Sequence, residues 1–196
     1  MLVGYEANII FRDGHELGEF GRTLVSRLAS KHIADYRALL FASRIKKEFR
    51  SSFTSDANVS TYLPVGSSKL LPEAWIRYRL NPWLKGEKVK VFHGINEELP
   101  YHIGREVKTL ITCYGLDKHR NTSIMDAVLW KKRMSYSFAS SDAIVAVSKE
   151  VKQQLVDAGV MAEKIVVIGD SNPYEVTDKV VEQYYELYRH LAGEKY

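Results

Sequence analysis

The sequence has little of what disulfide, zinc or membrane-spanning proteins require. It contains one cysteine, Cys113, among 196 residues, so it can form neither an internal disulfide nor a Cys-x-x-Cys zinc pair. No window approaches the ~20 consecutive apolar residues of a membrane span. No basic flank precedes the apolar residues of the N-terminus, unlike in a secretory signal. These absences predict a cytoplasmic protein that binds no metal and makes at most peripheral contact with a membrane.

The sequence also lacks the common nucleotide-binding motifs. Residues 12–24, RDGHELGEFGRTL, space their glycines as Gly-x-x-x-Gly-x-x-Gly, which departs from the dinucleotide fingerprint. No Gly-Lys-Ser/Thr follows these glycines, so a P-loop is excluded as well. The second predicted strand leads into Ser43 and Arg44, where a nicotinamide enzyme would carry an acid for the ribose. The sequence therefore predicts no cofactor.

Positive charge is present and unevenly distributed. The chain carries a net charge of +4, with six acids and three bases in residues 170–196, which leaves +7 for residues 1–169. A basic body suits phosphate-bearing ligands, anionic membranes or nucleic acid, but it is also common on ordinary soluble domains. Lys131, Lys132 and Arg133 lie on a predicted helix without any accompanying nucleic-acid motif. We therefore expect no nucleic-acid partner.

Short apolar runs alternate with helical patterns along residues 1–168. The runs are mostly continuous, as in strands buried on both faces. Helical spacing follows for Leu17, Phe20, Leu24 and Leu28, for residues 123–139, and after Ser148 as an N-cap. The predicted strands are residues 2–6, 36–42, 59–63, 89–93, 109–113, 143–147 and 165–168. This order predicts an α/β fold with a single Rossmann-like, doubly wound, mainly parallel sheet of about seven strands flanked by helices.

Between these elements, the sequence predicts irregular chain over residues 64–88, around a short helix near residues 73–80. It also predicts a mobile loop over residues 117–123. Residues 169–196 predict one further helix that packs on the same domain. Asn172 is its expected cap and Pro173 its first residue. Its apolar stripe is predicted to comprise Val176, Val180, Tyr184, Leu187 and Leu191.

Two segments follow strand ends, where ligands bind in open α/β sheets. One is residues 91–100, VFHGINEELP, and the other is residues 12–24, whose glycines would let a ligand approach a helix N-terminus. Structural alternatives remain open for both. Glu97 and Glu98 would then simply face water, the glycines would serve close packing, and His93 would be a hydrogen-bonded core residue.

Three segments in order resemble the N-terminal domain of glycosyltransferase family 4, the retaining enzymes with two Rossmann-like halves. Residues 3–24, VGYEANIIFRDGHELGEFGRTL, are similar to the family's first strand and its Gly-Leu-Gly-Asn-Tyr-Ser-Arg helix start. Residues 91–100 resemble its Phe-His-Gly-Leu-Ser-x-Glu-Leu-Pro segment, and residues 140–168 its Ala-Asp-x-Ile-Ile-Ala-Val-Ser segment. The resemblance implies that this half binds a sugar or glycan acceptor, while a C-terminal half binds the nucleotide sugar.

The resemblance also implies a set of acceptor-binding residues on the two loops and at the end of the fifth strand. The two loops are expected to lie side by side at one sheet edge, because both follow strand ends near the topological switch point. These residues are Glu16, Leu17, Gly18, Phe20, Arg22, His93, Gly94, Asn96, Glu98 and Tyr114.

Two departures from the family pattern bear on activity. At the end of the fifth strand, Tyr114 and Gly115 stand where the family usually has His and Asp. Only 28 residues follow Ile168, so no donor-binding half is expected in this chain. We therefore expect a truncated or engineered acceptor-side half that is inactive alone and has no catalytic residues of its own, with a possible donor-domain partner in trans. The alternative is a stand-alone binding or scaffold domain of the same fold.

Overall fold

A computed structural model describes residues 1–116, 124–169 and 172–194. The predicted mobile loop at residues 117–123 lies outside these described residues. The described residues contain seven strands: Leu2–Glu6 (β1), Arg37–Phe41 (β2), Val59–Tyr62 (β3), Val91–Gly94 (β4), Lys108–Cys113 (β5), Ala143–Ala146 (β6) and Ile165–Val167 (β7). Each lies within two residues of its predicted bounds.

The strands form one parallel sheet in the order β3-β2-β1-β4-β5-β6-β7. The chain winds outwards from β1 to β3, crosses back, and winds outwards again from β4 to β7. The predicted α/β, doubly wound fold is confirmed. The two halves of the winding meet between β1 and β4, where Tyr5 pairs with His93. This junction is the topological switch point.

Seven α-helices flank the sheet in the described part of the chain. They are Asn8–Arg12 (α1), Glu16–Lys31 (α2), Pro72–Tyr78 (α3), Asn81–Gly86 (α4), Ile124–Ser140 (α5), Lys149–Asp157 (α6) and Asp178–Ala192 (α7). The predicted cap of α6 is confirmed, because the Ser148 hydroxyl accepts the Val151 N–H. None of the described helices is long and apolar enough to cross a bilayer.

Side chains alternate between the two faces of the sheet and build a core on each. On one face, Trp75 of α3 packs on Phe41, which also contacts Phe92. On the other face, α7 packs along α2 and β4. Its Tyr184 and Tyr188 are fully buried against the sheet.

The terminal helix begins later than the sequence predicts. The Thr177 hydroxyl caps α7 by accepting the Val180 N–H, whereas Asn172 accepts the Tyr174 N–H in a separate turn. The predicted start at Asn172 is therefore wrong by five residues. The buried stripe contains Val181, Tyr185 and Tyr188 in addition to Val176, Val180 and Tyr184, while Leu187 and Leu191 are only partly buried.

Candidate functional site

A polar cleft of about 190 Å³ opens at the switch point, beyond the carboxyl ends of β1 and β4. Its walls come from the end of β1, helices α1 and α3, and the segment that follows β4. The lining residues are Glu6, Asn8, Arg12, Glu73, Ile76, Arg77, Asn96, Glu98, Leu99 and Pro100. Two of the predicted site residues, Asn96 and Glu98, are among them.

Glu6 is the buried carboxyl of this cleft. Its side chain ends β1 at 5% exposure, and its Oε1 accepts the Asn8 N–H at 3.1 Å. Burial raises the pKa of Glu6 from its ordinary 4.5 to about 8, with smaller contributions from the nearby carboxylates of Glu98 and Glu73. Glu6 is therefore mainly a neutral acid at pH 7, able to donate a hydrogen bond as well as accept one.

Two buried oxygens in the cleft wall have no hydrogen-bond partner among the described residues: Glu6 Oε2 and Asn96 Oδ1. A buried polar atom left unpaired costs about 1–3 kcal/mol. Such atoms are rare in folded proteins, and a bound molecule with hydrogen-bond donors would satisfy both.

An ordered hydrogen-bond network fixes one side of the cleft around Glu73. The Arg12 guanidinium donates to Glu73 Oε1 at 2.6 Å, and the Ser43 hydroxyl donates to the same oxygen at 2.8 Å. The Ser43 N–H donates to Asn8 Oδ1 at 2.8 Å. These bonds join the ends of β1 and β2 to α3, so the cleft wall is held before any ligand arrives.

The opposite side of the cleft is organised by Glu98. Its carboxylate lies 3.2 Å from the Arg133 guanidinium on α5 and 3.8 Å from Arg77 on α3. Its side chain remains 29% exposed, so it can still accept hydrogen bonds from a ligand. Carboxylates, amides and guanidinium groups around a small cleft suit a compact molecule rich in hydroxyl groups. The described residues contain no cluster of three or more acidic, histidine or cysteine side chains that could hold a metal ion.

The predicted residues of the first loop lie on α2, away from this cleft. Arg22 donates to the carbonyl oxygens of Ile10 and Asp13 at 2.6 and 2.8 Å and stacks over Phe49. Gly18 packs so closely on the Asp13 carbonyl that a Cβ would overlap it. Leu17 is half-buried against the core. For Arg22 and Gly18 these contacts support the structural alternative, while their acceptor-binding roles stay predictions.

Glu16 and Phe20 border a second cleft of about 360 Å³. It lies between α2 and the residues before α7, including Tyr174 and Glu175. Glu16 is exposed there, whereas Phe20 is only 3% exposed and packs edge-on to the Tyr114 ring. The two predicted loops do follow strands that pair in parallel, so they share one edge of the sheet as predicted. Their predicted residues nevertheless do not form one cleft: Asn96 and Glu98 line the switch-point cleft, Glu16 and Phe20 line the second, and the others line neither.

His93 is fully buried beneath α7 rather than exposed to either cleft. Its Nδ1 hydrogen-bonds to the Tyr188 hydroxyl at 2.7 Å and its Nε2 to the Thr112 hydroxyl at 2.8 Å. Burial lowers the pKa of His93 to about 3, so the ring is neutral at physiological pH. This is the satisfied core histidine of the structural alternative. Gly94, also predicted, is the last residue of β4 and is buried.

Tyr114 and Glu97 connect the ends of β5 and β4. The Tyr114 N–H donates to Glu97 Oε1 at 2.7 Å, and the Tyr114 ring stacks on Tyr174 at 5.3 Å. Glu97 is 5% exposed, so it does not face water as the structural alternative supposed. Gly115 has φ +126°, a conformation that L side chains rarely adopt. An aspartate at this position, as in the resembled family, would be strained.

Sequence reasoning missed eight of the ten residues that line the switch-point cleft, and five of the eight have polar or charged side chains: Glu6, Asn8, Arg12, Glu73 and Arg77. Glu6 did leave a signal, because an acid ends a strand that is otherwise apolar and buried. Glu73 and Arg77 left none, since an acid and a base four residues apart are typical of a solvent-exposed helix face.

A comparison with protein families identifies the chain. Residues 21–170 match Glycosyltransferase Family 4. The chain belongs to this family. The match begins within α2 and runs past β7, so it covers six of the seven described strands and leaves out β1, and it agrees with the family resemblance carried by the sequence motifs. A search of curated protein sequences gives no match.

Solved structures share the fold of this family 4 chain at low identity. The apo lipopolysaccharide outer core galactosyltransferase WaaB matches with a TM-score of 0.55 and 13% identity, over 87% of this chain and 46% of that one. Anabaena HepE in complex with UDP and glucose matches with a TM-score of 0.55 and 11% identity, over 88% and 45%.

The UDP-GlcNAc 2-epimerase of Methanocaldococcus jannaschii matches with a TM-score of 0.53 and 12% identity, over 100% of this chain and 50% of that one. At these identities the likeness concerns the fold alone. The chain spans about half the length of the structures it matches.

Proposed function

We propose that this chain is the acceptor-side half of a sugar-nucleotide-dependent, retaining glycosyltransferase and that it does not transfer sugar alone. Membership of glycosyltransferase family 4 supports the reaction class. The coverage of about half of each matched structure is what an acceptor-side half would give.

The switch-point cleft is the proposed acceptor site. The observation that carries this proposal is the pair of buried, unpartnered oxygens, Glu6 Oε2 and Asn96 Oδ1, in a cleft of about 190 Å³. A saccharide hydroxyl can donate to Asn96 Oδ1 and either donate to or accept from the Glu6 carboxyl. Glu98 would accept a further hydroxyl, and Arg77 would donate to a ring or hydroxyl oxygen.

Inactivity of the isolated chain follows from the chemistry of transfer. Glycosyl transfer requires groups that stabilise the leaving diphosphate and hold donor and acceptor face to face. The switch-point cleft is lined by three glutamates and two arginines, and both arginines lie near carboxylates: Arg12 at 2.6 Å from Glu73 and Arg77 at 3.8 Å from Glu98. This arrangement suits neutral hydroxyls better than a diphosphate. A donor-domain partner would supply the second wall.

A binding screen by saturation-transfer NMR tests the proposal. The probes are a panel of monosaccharides and disaccharides, together with UDP-sugars. We expect saccharide signals that weaken roughly tenfold in Asn96→Ala and Glu98→Gln, since each change removes a hydrogen bond to a charged or buried group. Glu16→Gln, in the second cleft, is the matched control and should bind like the wild type.

Two outcomes would contradict the proposal. Saccharide binding that is lost in Glu16→Gln but kept in Asn96→Ala would move the site to the second cleft. Nucleotide release from a UDP-sugar by the isolated chain, abolished by changing Glu98 or His93, would show an enzyme that is active alone. A chain that binds no probe would favour the alternative of a scaffold domain.

A further inference from the structure

A group of large apolar side chains is exposed on the segment between β3 and α3. Leu70 is 82% exposed, Leu71 70%, Val65 56% and Leu63 41%. Residues 66–69 form a short 3-10 turn, which holds these side chains outwards. Soluble proteins rarely leave several neighbouring apolar side chains in water, and such patches mark binding surfaces.

Basic side chains surround this apolar segment. Residues 44–50 follow β2, which pairs in parallel with β3, so they lie at the same sheet edge. Arg44 and Arg50 line an open cleft of about 440 Å³ together with Leu63 and Lys69. Residues 44–50 and 63–71 together hold five basic residues and one acid, Glu48, which is a net charge of +4. We call residues 44–50 and 63–71 the basic–apolar surface.

Most of these charges lack an ionic partner. Within the described residues, the basic–apolar surface forms one ion pair, between Lys46 and Glu48 at 4.0 Å. Arg44, Lys47, Arg50 and Lys69 are all exposed and join no ion pair with any described residue. Exposed leucines beside basic side chains that have no ionic partner are the combination that binds the surface of an anionic bilayer.

We propose that the basic–apolar surface binds the chain to an anionic lipid bilayer. Leu70 and Leu71 enter the boundary between headgroups and acyl chains, and the surrounding arginines and lysines contact lipid phosphates. Each basic residue near such a surface adds to the attraction to anionic headgroups, and the buried apolar area strengthens binding further.

The shape and charge of the surface favour lipid over the other possible occupants. In a dimer formed through this surface, the net charge of +4 on one copy would face the same charge on the other, and their repulsion opposes self-association. A folded protein partner would need a groove to receive the two most exposed leucines, whereas a bilayer deforms around them. The basic–apolar surface adjoins the switch-point cleft. Ser43 and Pro72 line the open cleft of this surface, and the Ser43 hydroxyl donates at 2.8 Å to Glu73 in the wall of the switch-point cleft.

Vesicle flotation with the full chain tests the proposal. The vesicles contain phosphatidylcholine alone or phosphatidylcholine with phosphatidylglycerol. We expect binding to the anionic vesicles only, and weakening as salt is added. The double change Leu70→Ser and Leu71→Ser and the triple change Arg44→Gln, Arg50→Gln and Lys69→Gln should each weaken binding roughly tenfold or more.

Two control variants carry the same kinds of substitution outside the basic–apolar surface. Ile33→Ser alters another side chain that is 67% exposed, and Lys131→Gln with Lys132→Gln removes charges from α5. Both should float like the wild type. All altered side chains are exposed, so thermal melting should stay unchanged and confirm that each variant is folded.

Three results would overturn the proposal: no flotation of the wild type, equal flotation with neutral vesicles, or unchanged flotation of both test variants. Sedimentation velocity tests the alternative that a second copy of the chain binds this surface. In that case the wild type would sediment as a dimer and the Leu70→Ser, Leu71→Ser variant as a monomer. Vesicle binding requires no sugar, so its failure would leave the proposed acceptor site untouched.

Discussion

Glu6 shows that a single residue of the candidate site can lower the stability of the folded protein. The unfolded carboxyl ionises near 4.5 and the folded one near 8, so unfolding between these pH values releases a proton. Stability therefore falls as pH rises across this interval, and the full cost is present above pH 8.

We expect Glu6→Gln to stabilise the protein by on the order of 2–4 kcal/mol at pH 8 and by much less at pH 5. Glutamine keeps the acceptor for the Asn8 N–H and cannot ionise. Urea unfolding at several pH values measures the effect, with Glu16→Gln as an exposed control. A gain that is the same at pH 5 and pH 8 would mean that Glu6 is already ionised in the folded protein.

Tyr188 links the buried polar groups beneath α7. Its hydroxyl contacts His93 Nδ1 at 2.7 Å and accepts from the Tyr5 hydroxyl at 3.1 Å, and Tyr5 in turn contacts the Tyr36 hydroxyl at 2.5 Å. All of these residues are fully buried. Each hydroxyl therefore depends on its neighbours for hydrogen bonds that water cannot supply.

Tyr188→Phe should destabilise the fold by about 1–3 kcal/mol, because it leaves His93 Nδ1 buried without a partner. Tyr78→Phe is the control, since Tyr78 is 55% exposed and stacks on Tyr101 through its ring. Chemical denaturation of both variants measures the difference. Equal stabilities would indicate that water reaches the buried network.

At the scale of secondary-structure elements, the contact between α1 and α2 rests on Gly18. We expect Gly18→Ala to destabilise by about 1–3 kcal/mol, because the new methyl group would overlap the Asp13 carbonyl and push the helices apart. Gly86→Ala, in α4, is the matched control. It meets no atom within 4 Å, so the higher helix propensity of alanine should leave stability unchanged or slightly higher. Thermal melting should show a lower melting temperature for Gly18→Ala and an unchanged or slightly higher one for Gly86→Ala.

Helix α7 is expected to be essential for folding. It covers the sheet face that carries His93 and Thr112, and the hydroxyl of Tyr184 contacts Thr112 at 2.9 Å. Each buried side chain of the helix contributes roughly 1.5–3 kcal/mol. Deletion of residues 170–196 should therefore give a chain that aggregates or melts far lower. Unchanged thermal unfolding would mean that α7 is an undocked appendage.

The elements differ in how well the sequence predicts them. The strands are predictable because continuous apolar runs between turn residues leave few alternatives. The start of α7 cannot be predicted from the sequence alone. Asn172 before Pro173 and Thr177 before Asp178 are both good N-caps, and packing against the sheet decides between them. Helix α1 is missed because its five residues continue the apolar run of β1 and are too short to show helical spacing.

The candidate site is predictable only in part. Its place beyond the strand ends follows from the parallel order, and Asn96 and Glu98 follow from the loop after β4. Arg12, Glu73 and Arg77 could not be found, because only the crossover from β3 to β4 brings α3 against the ends of β1 and β4. The role of His93 is not predictable from its own segment, because nothing there reveals that α7 covers it.

At the scale of the whole molecule, the open question is what completes the proposed enzyme. We expect no turnover from the isolated chain and measurable nucleotide release when the donor-side half of a family 4 enzyme is added in trans. No residue of α7 lines the switch-point cleft, so the helix should leave the proposed acceptor site accessible. Assays with several sugar nucleotides, each half alone and both together, test this expectation.

The changes Tyr114→His and Gly115→Asp, which restore the usual family residues, should not rescue the isolated chain. They leave the diphosphate charge uncompensated, and φ +126° at position 115 strains the new aspartate. Turnover by this double variant without a donor half would contradict the assignment of the chain as one wall of the site.

The central position of β1 also determines when the sheet can close during synthesis. β1 is made before the other six described strands, yet one of its edges is filled only when Val91 pairs with Val3. Until β4 leaves the ribosome, the nascent chain carries an apolar strand with an open edge, the kind of surface that pairs with other chains or recruits chaperones. Slow translation before Val91 should therefore prolong the time for which β1 has an open edge, whereas a pause just after β4 moves the open edge to β4, which is covered only when β5 pairs with it.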